Sequence, residues 1–165
     1  MNTKNNNSSN SLGSILHTIL IRYANECKRE FVNNELASQI RHEFPKSVCG
    51  ILNNRYKVSG SAGMSKWARV PWIGIFDEEI STSAQAGYDV VYLFTEDMKG
   101  VYLSVNQGYT YFSNLYKKPT NAICRVTDYW KHQLDNLPHR FSFDNIYLCS
   151  YHDKTTSAGL PKGYA

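Results

Sequence analysis

Few residues in this chain have types and spacings that could do chemistry. The acids of "FDEEI" (76–80) and "TEDM" (95–98) could form a metal-dependent nuclease pair, Asp77 or Glu78 with Asp97. The companion such a site needs, an acid followed shortly by Glu-x-Lys on a strand, is absent. The stronger reading is therefore solvated turn and cap carboxylates. Cys27, Cys49, Cys124 and Cys149 form no CxxC, and no His stands at metal-ligand spacing from them, so a zinc site is not expected. The five histidines are scattered, with His17 and His132 expected on helix surfaces. "GSAG" (60–63) lacks the spacing of a nucleotide-binding loop, and no GxSxG elbow exists. No catalytic residue, metal or cofactor is expected.

Binding chemistry is better represented. "GSAGMSKWARVPWIGIF" (60–76) places Trp67 and Trp72, two of three tryptophans, beside a glycine loop and basic residues. Ser61, Ser65, Lys66 and Arg69 suit phosphate contacts, aided by free backbone N–H groups. Trp67 and Trp72 suit stacking on a base. Gly60 and Gly63 permit tight turning or close approach to a ligand. Against this, Trp72 follows Pro71 inside an apolar strand and fits a plain core role.

These residues need a frame. Residues 1–11 are Asn- and Ser-rich and read as a disordered tail. From Leu12, Ile15, Ile19, Tyr23 and Cys27 recur every four residues, as in a helix capped by Ser11 or Ser14. A second helix, about 34–43, is expected to end before Pro45. Residues 50–63 read as turns, with a short strand at 55–58. Strands follow at 70–76, 88–95 and 101–106, the last two joined as a hairpin through "EDMKG". A helical stretch from Tyr109 breaks at Pro119. Another helix covers 122–137, and a final strand covers 145–152. Helices, then a run of strands, then helices again make an α+β fold: a mainly antiparallel sheet flanked by helices at both chain ends.

The bulk numbers agree with one globular domain of 165 residues, with 42% hydrophobic and 19% charged residues. The net charge of +4 permits a nucleic-acid partner without demanding one. No signal peptide or membrane span is visible, which leads to a cytoplasmic protein with reduced cysteines.

Residues 60–108 carry a longer pattern: a GSxG loop, a Trp, VPW-I-x-IFD, then SAQ-x-GY-x-VVYLF-x-x-DM-x-GVYLS-x-NQG. This resembles the McrB-like N-terminal domain, the DNA-recognition module of modification-dependent (type IV) restriction systems. The resemblance covers nearly the whole chain after the tail, strongest in the middle third. It implies a single modified-DNA-recognition domain over 12–165, acting in phage defence. It implies a duplex partner containing methylated cytosine, read by flipping the base into an aromatic-walled pocket. On this sequence the loop wall falls at Met64, the wall of the PW pair at Trp72 and a lining Leu at Leu93, with Trp67 nearby. Met64 departs from relatives that carry an aromatic there, and a thioether packs on a base more weakly. The late aromatic wall has loose candidates in Phe141, Phe143 and Tyr147. Lys66 and Arg69, with Ser61, Ser65, Arg55 and Lys57, are the expected backbone grip. The family also implies a following GTP-dependent AAA+ motor and a separate nuclease subunit. No motor motif occurs here, so the chain is a piece of a longer protein or a stand-alone reader. The rival class is a protein-interaction or regulatory domain that binds no DNA.

Overall fold

The computed structural model describes residues 11–134, 140–144 and 146–149. The expected tail at 1–11 lies outside them except for Ser11. That residue caps α1 (Leu12–Glu26), its side chain accepting from the Ser14 N–H at 3.2 Å. The four-residue spacing turns Ile15, Ile19 and Tyr23 into the core. Asn34 caps α2 (Glu35–Ser38) through its side chain to the Ala37 N–H.

The helix does not stop ahead of Pro45, as the sequence suggests. It passes through a π turn (Gln39–Glu43) into α3 (Phe44–Ile51), with Pro45 in the first turn. The Phe44 N–H bonds to the Gln39 carbonyl, five residues back. This widened turn relieves the place where proline lacks a donor and would crowd the previous turn.

Four strands follow in the order β1-β2-β3-β4, all antiparallel: β1 (Lys57–Gly63), β2 (Trp67–Phe76), β3 (Tyr88–Phe94) and β4 (Val101–Gln107). With α4 (Tyr109–Leu115) and α5 (Pro119–Gln133) after the sheet, the fold is α+β with helices at both ends, as expected. Three boundaries differ. The glycine segment is strand rather than loop, because pairing with β2 holds "GSAG" extended. Pro119 opens α5 instead of breaking a helix; its fixed φ suits the first turn. Residues 146–149 form no strand, though the Glu96 N–H donates to the Leu148 carbonyl at 2.8 Å. The rest of the expected strand, at 145 and 150–152, lies outside the described residues.

The sheet carries apolar packing on both faces. On one, Ala62, Ile73 and Phe94 meet the first three helices through Ile15, Ile19, Leu36, Ile40 and Val48. On the other, Val70, Val91 and Leu93 pack with Leu148, and Trp72, Tyr102 and Ile146 border them. No helix among the described residues is long and apolar enough to cross a membrane.

Candidate nucleic-acid interface

The β1–β2 hairpin builds the candidate site. Its tip, Met64 to Lys66, is exposed, with Met64 at 93%. Gly63 makes the tip possible. Its φ is +121°, and a Cβ there would lie 2.0 Å from the Lys66 carbonyl oxygen. Gly60 has another role than the sequence suggested. A Cβ on it would lie 1.9 Å from the Ile40 carbonyl oxygen, so it admits the π turn onto the strand. Arg41 of that turn donates to the Gly63 and Met64 carbonyls at 2.8 and 3.2 Å and stands over the Phe31 ring. The tip is thus anchored from behind while its side chains face solvent.

The two tryptophans part company. Trp67 packs toward the helices, edge-on to Tyr23 and Phe31 at 5.2 Å each, and its Nε1–H donates to the Arg29 carbonyl at 3.0 Å. Tyr23 Oη donates to the Ala62 and Ala68 carbonyls on either side of the tip. Trp67 is therefore held against the core, partly buried. Trp72 lies on the opposite face, half-buried. It is paired across β1 with Ser61 and across β3 with Leu93, which itself faces Tyr102 on β4. Strand pairing thus sets Ser61, Trp72, Leu93 and Tyr102 in one row. Gly74 matters here too: a Cβ would lie 2.8 Å from Phe76 Cζ and 3.3 Å from Trp72 Cζ3, so the two rings close over bare backbone. Leu93 is fully buried, packed in the cluster that contains Leu148.

The basic residues also separate. Lys66 and Ser65 stand exposed at the tip. Arg69 does not join them. Its guanidinium forms a two-pronged ion pair with Glu96 at 2.7 and 2.8 Å. The segment 58–76 contains no acid, but the fold brings one in from just past the end of β3. Ser61 Oγ accepts from the Gly63 N–H. Arg55 lies over the Tyr56 ring, and Lys57 donates to the Thr82 carbonyl. Of the loose aromatic candidates, Phe141, Phe143 and Tyr147 are all exposed, and Tyr147 precedes the anchored Leu148.

Two residues of the site escaped sequence reasoning. Tyr102 was recognisable only as the alternate face of an alternating strand, and Glu96 only as a turn acid. Both depend on strand register. A third polar feature is Asp89, on the β3 face that carries Leu93. It is 4% exposed, its Oδ1 has no hydrogen-bond partner among the described residues, and burial pushes its carboxyl up to about 6. The carboxylates of the nuclease reading serve turns: Asp77 accepts from the Glu79 N–H, and Asp97 from the Lys99 N–H. Hydrogen bonds from Thr95 and the Lys99 N–H, with the Lys99 charge, hold the Asp97 carboxyl below its ordinary range. Among the described residues, no three His, Cys, Asp or Glu side chains converge to hold a metal.

Comparison with known proteins agrees with this frame. The family described as "MrcB-like, N-terminal domain" matches residues 18–165. The chain belongs to this family. Membership supports a DNA-binding role in a restriction system, and an N-terminal recognition domain of this kind is not itself catalytic. No curated protein and no solved structure matches the chain.

Proposed function

We propose that this chain is a DNA reader that recognises a modified, methylated cytosine by flipping it from the duplex. It would act as one domain from residue 12 onward, in the cytoplasm, in defence against phage. The supporting observation is the cross-strand row Trp72–Leu93–Tyr102, beside an exposed hairpin tip carrying Met64, Ser65 and Lys66. A flipped base needs a flat wall and an apolar floor. Trp72 offers the wall and Leu93 the floor, while Met64 closes the tip side. Unstacking costs a few kcal/mol, and one aromatic partner returns about 1–3 kcal/mol. Leu93 is covered, so a base reaching it displaces part of the cover in which Leu148 sits. Trp67 supports this pocket only from behind, through the anchored hairpin. Lys66 is the proposed phosphate contact at the tip. Coupling to a GTP-dependent motor and a separate nuclease belongs to the same proposal.

The test is a titration of methylated, hydroxymethylated and plain duplexes at two salt concentrations, with 2-aminopurine at the target position. Preference for a modified duplex, with a fluorescence change on saturation, is expected. Equal affinity for all three with silent 2-aminopurine would leave a DNA binder that does not flip. Absence of salt-dependent binding would favour the protein-interaction class.

A further inference from the structure

A groove of about 480 Å³ runs where the π turn and α3 pass the edge strand β1. Pro45, Cys49 and Val58 line it together with Arg41, Lys46 and Lys57, and no carboxylate is among its lining residues. Among the described residues, no carboxylate forms an ion pair with these cations. Lys46 is exposed and has no hydrogen-bond or ion-pair partner among the described residues. Lys57 donates, among the described residues, only to a neutral carbonyl, that of Thr82. Arg41 likewise meets only neutral groups among the described residues, the Gly63 and Met64 carbonyls and the Phe31 ring. Three like charges around one groove repel one another unless an anion joins them. Arg41 also ties the groove to the hairpin tip, since it holds the Gly63 and Met64 carbonyls of the segment that carries Lys66.

We infer that this groove is a second contact for the DNA backbone, taking the sugar–phosphate chain that leads away from the tip. The inference rests on the proposed DNA-reading function and extends it from Lys57, already expected to grip the backbone, to Lys46 and the groove between them. Phosphates would lie against Lys46 and Lys57, and deoxyribose against the half-buried Val58, with buried Pro45 beneath. An open groove with spaced cations and an apolar floor suits an extended polyanion better than a compact ion. Such contacts position the duplex and carry no sequence information.

The experiment compares wild type with Lys46→Gln and with Lys46→Gln/Lys57→Gln. Plain and methylated duplexes are titrated over a series of salt concentrations, and melting is recorded on each protein. Lys99→Gln is the control, a lysine paired with Asp97 outside the groove. Each groove substitution is expected to flatten the slope of log K against log salt by about 0.9. Both duplexes should change alike, the ratio between them should hold, and Lys99→Gln should leave the slope alone. Lys46 is a solvent-facing side chain, so the single variant keeps the test open if the double variant melts early. Groove variants with the wild-type slope overturn the inference while leaving the DNA reader in place. An equal flattening by Lys99→Gln overturns it too, since the effect would then be net charge. Failure of the wild type to bind any duplex overturns both readings.

Discussion

Trp67 and Trp72 stand five residues apart on one strand and face opposite sides of the sheet. Their substitutions should therefore separate stability from recognition. Trp67→Ala removes two edge-to-face ring contacts and a hydrogen bond from a packed site. A loss of about 3–5 kcal/mol in urea unfolding is expected, as for a large core truncation. Trp72→Ala should cost less in unfolding and instead lower the preference for modified over plain cytosine by about 1–3 kcal/mol. If Trp72→Ala unfolds the domain, or folds and discriminates as before, the pocket assignment fails. Sequence alone could not sort the two rings: alternation along 67–76 separates odd from even positions, but not which side the helices cover. Asp89 was equally invisible, because an acid in "GYDVVYLF" reads as a strand-edge residue. Its folded carboxyl titrates near 6, against 3.8 for an unperturbed aspartate. A raised acid pKa means that folding favours the protonated form. Stability should therefore fall as pH rises from about 4 to 6 and stay low above that. The full penalty is about 3 kcal/mol, at 1.36 kcal/mol per unit. Asp89→Asn should melt higher than wild type at pH 7.5, and the difference should close by pH 4. A wild type whose melting is flat between pH 7 and 5 would show that Asp89 finds a partner in solution.

At the scale of elements, the join between the helical layer and the hairpin rests on a near-contact of backbones. Gly60 has room for no side chain because the Ile40 carbonyl of the π turn sits where a Cβ would be. Gly60→Ala must push strand and helix apart, and overpacking of this kind costs about 1–3 kcal/mol or more. The displacement should reach the tip, since Arg41 on the same turn holds the Gly63 and Met64 carbonyls. Faster proteolysis of the tip in Gly60→Ala is the expected sign, and unchanged melting and cleavage would deny the clash. The π turn explains why this stretch was hard to read. Proline signals a stop, and an i→i−5 turn that absorbs it has no residue signature. "GSAG" was hidden for the complementary reason, since glycine has low strand propensity and only pairing with β2 holds it extended. Strands β2, β3 and β4 were legible because their apolar residues are local and their hairpin turn is short. Ser61, Trp72, Leu93 and Tyr102 come together only through register between them.

For the whole molecule, a small net positive charge matters less than its placement. Arg41, Lys46 and Lys57 line one groove, and Arg41 holds the tip that carries Lys66, whereas Arg69 is held by Glu96. A duplex bound there should release counterions in proportion to the phosphates met, and phosphates are the same on plain and modified DNA. Plots of log K against log salt for methylated and plain duplexes are therefore expected to be parallel. Their vertical gap measures the pocket, about 1–3 kcal/mol for one stacking partner. Two variants should act on this pair of lines in different ways. Lys66→Ala should flatten both by about 0.9 and keep the gap. Trp72→Ala should keep both slopes and close the gap. Lines that converge as salt rises would mean that the modified base recruits extra phosphate contacts, so recognition and grip would not be separate parts. A gap that Lys66→Ala closes as well would place the tip lysine in base recognition rather than on the backbone.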